Sequence, residues 1–301
     1  MKTNKILGAL VGTATAAGIG TLAYKKIRGV DFGEIIIDGI PEKDENAVRI
    51  MSFNLRYRDD KGIHKVKNRS QLTKAIIEQY APDSVGVQEA TGRWIDILCG
   101  ALGEKYGCVS QTRDEQGYDS ERNAVFYRKD KYNLASSGTI WLSETPDVPN
   151  TKSFGSNCHR IATWAVLENK VTGEKYTHLN THLDHILEET RVAQAKVLLA
   201  KVKELQSQGK VVCTGDFNAE PDSDVYATMT AVTNHTQVVA ENSEEGVTFH
   251  NYGKYNDGFV GPIDYIFAPM DSKVNTYKII RNKVKGMYAT DHFPIMADIV
   301  L

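Results

Sequence analysis

Polar residues stand at the ends of strand-like apolar runs in this chain, and they constrain its fold more than any other feature. Three such clusters fall in the last third. Gly215-Asp216-Phe217-Asn218 follows Val211-Val212-Cys213-Thr214. Asp264 sits in Ile263-Asp264-Tyr265-Ile266-Phe267, and Thr290-Asp291-His292-Phe293-Pro294 precedes Ile295–Leu301. Polar residues at strand ends converge above a sheet, where open α/β sites form. Carboxylates, an amide and an imidazole together suit a hard cation and phosphate-ester chemistry, whereas a structural loop needs only an Asx turn.

The rest of the chain alternates strands with helices. Further strand-like runs are Val48–Phe53, Ser84–Gln88, Ala124–Tyr127, Ile161–Leu167 and Lys175–Leu179, with Val211–Thr214, Ile263–Ala268 and Ile295–Leu301 completing the set. Helical spacing puts Leu72, Ile76, Ile77 and Tyr80 on one face, and Trp94, Ile97, Leu98 and Leu102 on another. A longer pattern over Glu188–Leu205 aligns Val192, Ala195, Leu199 and Val202. Several strand-to-strand connections are too short for a helix. The pattern therefore predicts an α/β fold of two mixed β-sheets packed face to face with helices outside, a four-layer sandwich.

Residues 6–24 carry no charge and are flanked by Lys2 and Lys5 before, and by Lys25, Lys26 and Arg28 after. That run reaches the lower edge of a bilayer span, roughly 17–25 residues. It predicts a single N-terminal membrane pass, with a cleaved signal leading to secretion, or a buried helix, as alternatives. Residues 1–30 are thus the hydrophobic segment, 31–46 a linker with Pro41, and 47–301 one catalytic domain that works as a monomer. Without residues 1–30 the chain has 31 Lys+Arg against 38 Asp+Glu, a net of −7. Such a domain has no extended basic surface to gather long nucleic acid by counterion release. The cysteines Cys99, Cys108, Cys158 and Cys213 lack metal-binding spacing and read as free thiols.

Asn54 closes the run beginning at Val48, and Glu89 follows Gln88. One carboxylate plus waters and substrate oxygens suits Mg²⁺. Asp216 is placed to polarise an attacking water, and Asn218 to hold it in line with the scissile bond. His182 and His292 each stand at a strand end, within reach of a phosphate oxygen. His64, His159, His178, His185, His235 and His250 read as ordinary surface or core residues.

From about Val48 to Leu301 these motifs resemble the endonuclease/exonuclease/phosphatase superfamily of metal-dependent phosphoesterases. Within it, the segments Trp141-Leu142-Ser143-Glu144-Thr145-Pro146 and Asn180-Thr181-His182-Leu183-Asp184-His185 look like a bacterial branch distantly related to deadenylases. The resemblance implies that Asp264 orients His292 and that Glu121 pairs with His182. It also implies that Arg160 contacts the phosphate, and that Glu89, Asn54 and Asp291 hold or orient Mg²⁺ or Mn²⁺. The expected activity is hydrolysis of a phosphate mono- or diester by in-line water attack, with no covalent intermediate. The substrate class stays open between nucleic acid, a small phosphoester and a lipid headgroup. A nuclease of short nucleic acid, or a non-catalytic binding module on the same fold, is the alternative.

Overall fold

Parallel strands need a crossover, and two helices supply it. In the computed structural model, which describes residues 32–254 and 258–301, β1 (Val48–Asn54) passes through α1 (Val66–Tyr80) to β2 (Ser84–Gln88). Helix α2 (Gly92–Leu102) leads to β3 (Tyr106–Val109) and β4 (Ala124–Arg128). The second sheet opens with β5 (Tyr132–Trp141), β6 (Ile161–Asn169) and β7 (Lys175–His182), and α3 (Glu188–Gln206) carries the chain to β8 (Lys210–Asp216). Then come α4 (Asp224–Thr230), β9 (Thr233–His235), α5 (Thr236–Val239) and β10 (Asn242–Ser243). The described elements end with β11 (Asp264–Pro269), β12 (Lys273–Ile279) and β13 (Ile295–Val300).

The strands form two mixed sheets, ordered β10-β12-β13-β1-β2-β4-β3 and β5-β6-β7-β8-β11-β9. β1–β2 and β7–β8 are parallel across their helical crossovers. Between the sheets lies a core of inward-facing side chains that includes Ile50, Val212, Ile266 and Ile295. Helices α1 and α2 cover the first sheet with Leu72, Ile76, Trp94 and Leu98. Helix α3 covers the second, burying Ala195, Leu198, Val202 and Leu205. The four layers are those expected; in α3, Leu198 rather than Leu199 faces the sheet. β7 and β8 run on past Leu179 and Thr214 to His182 and Asp216, so both site residues lie within the ladder.

Residues 32–46, expected to act as a linker, instead lie against the first sheet. Phe32 and Ile37 are buried in its outer core. Ile37 N donates to Gln79 Oε1 at 2.9 Å, and Gln79 Nε2 donates to Ile35 O at 2.6 Å. The apolar run 6–24 lies outside the described residues. Among the described helices, none is long and apolar enough to cross a membrane.

Arg49 ties these parts together. Its Nε and Nη2 donate to Asp298 Oδ1 and Oδ2, each at 2.7 Å, joining β1 to β13. Nη1 donates to Tyr80 O at the end of α1, and Nη2 also donates to Pro41 O. The pair is buried, so removing one partner leaves an uncompensated charge in the interior. Arg49→Ala is therefore expected to lower unfolding stability by about 3–5 kcal/mol in urea titration. Arg49→Ala/Asp298→Ala should cost less than the two single changes added together.

Candidate active site

Register on the second sheet sets the site. Across β7, β8 and β11, His182 pairs with Asp216, and Asp216 with Asp264. Three functional side chains thus stand abreast on neighbouring strands at one end of the sheet. On the first sheet, β1 runs parallel to β2 and ends in Asn54 opposite Gln88. β13 enters antiparallel beside β1, which brings the preceding His292 to the same end.

Asp264 Oδ2 lies 2.9 Å from His292 Nδ1, as the sequence implies. The imidazole's other nitrogen lies 3.8 Å from Asp216 Oδ2. Burial pushes His292 down, but the negative charges of Asp264, Asp216 and Asp291 override it and hold the ring protonated up to about 10. His182 is in the opposite state: burial, then Arg160 and Arg113, keep it neutral. Asn218 Nδ2 donates to Leu183 O at 3.1 Å, which fixes the amide, and the same nitrogen lies 3.0 Å from His182 Nε2. His182 Nε2 therefore accepts from Asn218, and the proton sits on Nδ1. Here His182 orients the amide rather than presenting a charged donor.

Asp216 lies between these histidines. Its Oδ1 accepts from Asn218 N at 3.0 Å, an Asx turn that also performs the bland structural role. Burial and the nearby Asp264 push its pKa up to about 7, suited to taking a proton near neutral pH.

Asn54 Nδ2 donates both to Asp216 Oδ2 at 2.9 Å and to Glu89 Oε1 at 3.1 Å, holding the two carboxylates close. Glu89 takes a φ of 57°, left-handed backbone that costs a non-glycine residue about 1–3 kcal/mol. This turns its side chain out of the strand alternation and into the cleft. Among the described residues Glu89 forms no ion pair, and Asp216 is a buried acid pushed upward by another acid. That donor set fits a divalent cation. Two of the expected ligands are otherwise engaged. Asn54 Oδ1 accepts from Arg56 N at 2.9 Å, and the Asp291 carboxylate is taken by Arg56 Nη1. Among the described residues, the His, Cys, Asp and Glu groups that converge within 4.8 Å are Asp216, Asp264 and His292.

The cleft measures about 700 Å³ and also holds Arg56, Arg58, Arg113, Arg160 and His185. The expected pairing of Glu121 with His182 is not formed. Arg113 clamps Glu121 instead, at 2.9 Å through Nη1 and 2.7 Å through Nη2. Burial lifts Glu121 to about 7 against the pull of Arg113, with Glu89 adding to the rise. Arg160 is buried and lines the cleft as expected, with Nη2 donating to His185 Nδ1 at 3.1 Å. His185, read as ordinary, thus belongs to the site, while His178 is buried between the sheets. Arg56 and Arg113 carry no sequence signal of their own. Each lies in a loop: Arg56 pairs locally with Asp60 and the fold adds Asp291, while Arg113 meets Glu121 across a short antiparallel pairing.

Residues 51–292 match the model described as Endonuclease/Exonuclease/phosphatase family. An endonuclease/exonuclease/phosphatase from Bacteroides vulgatus is 32% identical and superposes with a TM-score of 0.79, over 84% of this chain and 98% of that one. A mannosyl-6-phosphatase from Bacteroides thetaiotaomicron is 26% identical with a TM-score of 0.75, over 84% and 100%. Among curated proteins, the CCR4-Not complex 3'-5'-exoribonuclease subunit Ccr4 of Candida albicans is 26% identical over 64% of this chain. The match spans only 28% of that protein's length.

The His292–Asp264 pair has a measurable linkage. A raised pKa means that its stabilisation is complete below the unfolded value of roughly 6.5. It is lost as pH rises through about 10. NMR titration of the metal-free protein should show a His292 ring still protonated at pH 8, and Asp264→Asn should bring its midpoint down. A wild-type midpoint below 7 would refute the pairing.

Proposed function

Because the chain belongs to the endonuclease/exonuclease/phosphatase family, we propose that it hydrolyses a phosphoester with a divalent cation, Mg²⁺ or Mn²⁺, and water as nucleophile. The observation that carries this reading is Asp216, buried where Asn54, Asn218, His182 and His292 all meet it. A binding module has no use for an acid held near neutrality among two amides and two imidazoles.

Asp216 takes the proton of the attacking water. Asn218, fixed by Leu183 and His182, holds that water in line with the phosphorus. Protonated His292 donates to a phosphoryl oxygen as negative charge builds in the transition state. Glu89 and Asp216 would hold the cation, with Asn54 fixing their spacing. Bound there, the cation supplies Lewis-acid stabilisation of the developing charge. The substrate favoured by the negative domain is a small phosphoester rather than a long polynucleotide. The mannosyl-6-phosphatase likeness is consistent with that choice, and the exoribonuclease likeness supports short nucleic acid as the second reading.

EDTA should abolish turnover and added Mg²⁺ or Mn²⁺ restore it; full activity in a chelated sample excludes the mechanism. His292→Ala should lower kcat by roughly 10²–10⁴. Asp264→Asn should fall partway, and the double mutant should lose little more than His292→Ala alone. Losses that multiply would show that the two residues act independently.

The apolar run 6–24 is proposed as a membrane tether. A chain starting at residue 31 keeps Phe32 and Ile37 and should be soluble with kcat unchanged on a soluble substrate. If the full-length chain is equally soluble after cell lysis, the tether is refuted.

A further inference from the structure

The cleft has two unlike flanks, and strand order says which is which. Along both sheets the residues proposed to hold the cation lie near the middle: Asn54 at the end of β1, Glu89 just past β2 and Asp216 at the end of β8. Toward β13 and β11 the wall carries two aromatic rings beside its charged groups: Phe249 bridges to His292, with Phe259 edge-on to Phe249 at 6.2 Å. Toward β4 and β6 stand Glu121 and Arg160, with Arg113 on Glu121 and His185 on Arg160.

On the charged flank the guanidinium groups differ. Arg113 is neutralised by Glu121, and on the other side of the cleft Arg56 is neutralised by Asp60 and Asp291. Arg160, only 5% exposed, forms no ion pair among the described residues, and its Nε has no hydrogen-bond partner. Its one side-chain partner is an imidazole nitrogen. A guanidinium only donates, so His185 Nδ1 is the acceptor and the neutral ring carries its proton on Nε2. Glu121 and Asp184 act on this guanidinium only through space, neither in contact, so its buried donors favour a ligand that brings negative charge against them.

We infer that the substrate is a dianionic phosphomonoester. Its single organic group rests on the Phe249/Phe259 flank, and its second negative charge is taken by Arg160 with His185 beside it. This rests on the proposed hydrolysis and specifies which class of ester is cleaved. A diester carries one charge and two organic groups. It would leave Arg160 uncompensated and press its second group against a charged wall. In the reaction the water oxygen forms a P–O bond as the ester P–O bond breaks. The electron pair leaves with the ester oxygen, which takes a proton from solvent, while one water proton passes to Asp216, which returns it to solvent, and the other stays on the phosphate. The products are inorganic phosphate and an alcohol.

The test compares 4-nitrophenyl phosphate with two diesters, methyl 4-nitrophenyl phosphate and a thymidine dinucleotide without terminal phosphate, on the full chain with Mg²⁺ or Mn²⁺. The monoester should have the highest kcat/KM, by about tenfold or more. Arg160→Gln should lower it roughly 10²-fold on the monoester and under tenfold on the diester, since a charge-assisted contact is lost only where the second charge exists. Arg160→Lys should recover part of the loss, and inorganic phosphate should inhibit the wild type more strongly than Arg160→Gln. If Arg160→Gln does not fold, His185→Ala replaces it, with the same selective loss on the monoester expected. Preference for either diester, or equal losses on all substrates, overturns the inference while leaving phosphoester hydrolysis intact. No turnover of any substrate by the folded, metal-loaded protein instead defeats the parent reading.

Discussion

Asn180 holds the two sheets in one alignment, and the site depends on that alignment. Its Nδ2 donates across the interface to Val87 O and Ala124 O at 2.9 and 3.0 Å, and its Oδ1 accepts from Gln88 Nε2 at 2.7 Å. Thr214 Oγ1 donates to the same oxygen from the neighbouring strand. A buried amide satisfied at both ends is met at one offset of the sheets, because a slip leaves several polar groups unpaired in a dry core. Gly86 makes the close approach possible: a Cβ there would come within 2.1 Å of Thr214 Oγ1 and 2.6 Å of Asn180 Oδ1. His178 extends the seam, 2.7 Å from Ser84 Oγ and 2.8 Å from Thr214 Oγ1, with burial driving its pKa to about 3 and keeping it neutral.

Strand periodicity carries that alignment to the site. Residues two apart share a face, so His178, Asn180 and His182 point the same way, as do Thr214 and Asp216, or Ser52 and Asn54. The catalytic end is the last rung of the inter-sheet ladder, and the bond from Asn54 to Asp216 crosses between sheets there. Both strands then leave through the same turn. Asn54 Oδ1 accepts from Arg56 N, and Asp216 Oδ1 from Asn218 N, with Arg56 and Asn218 each at positive φ. One half of each polar side chain shapes its loop and the other half faces the cleft.

This explains what the sequence discloses. Asp216, Asn218, Asp264 and His292 are legible because each adjoins a strand whose apolar run is unbroken. The Asp264–His292 pairing was implied by family resemblance and is found. Glu121 with His182 was implied in the same way and is not found, because Arg113 intervenes from a loop that no local pattern connects to β4. Strands β5 and β12 escape a reading by alternation for separate reasons. Asn133 to Ser137 of β5 are all exposed on a sheet edge, apolar and polar alike, and in β12 a register shift between Val274 and Thr276 breaks the period of two. The docking of residues 32–46 is equally hidden, since it rests on contacts such as those of Gln79, which meets Ile35 and Ile37 from far along the chain.

The two histidines around Asp216 show why the site calls for a cation. Both are buried, so burial alone would leave both neutral. Their charge states are divided by neighbours: Asp264 protonates His292, while Arg160 and Arg113 keep the proton off His182. The positive charge on His292 is then largely spent on Asp264, the nearer carboxylate at 2.9 Å against 3.8 Å for Asp216. Asp216 is left with two amide donors, a distant imidazolium and a neutral ring, too little to keep a fully buried acid ionised, and its pKa climbs to about 7. Glu89 beside it forms no ion pair among the described residues. A divalent ion held by Glu89 and Asp216 would supply the missing positive charge and favour the ionised form of Asp216. The fit of the site to a cation thus follows from how the fold distributes its own charges.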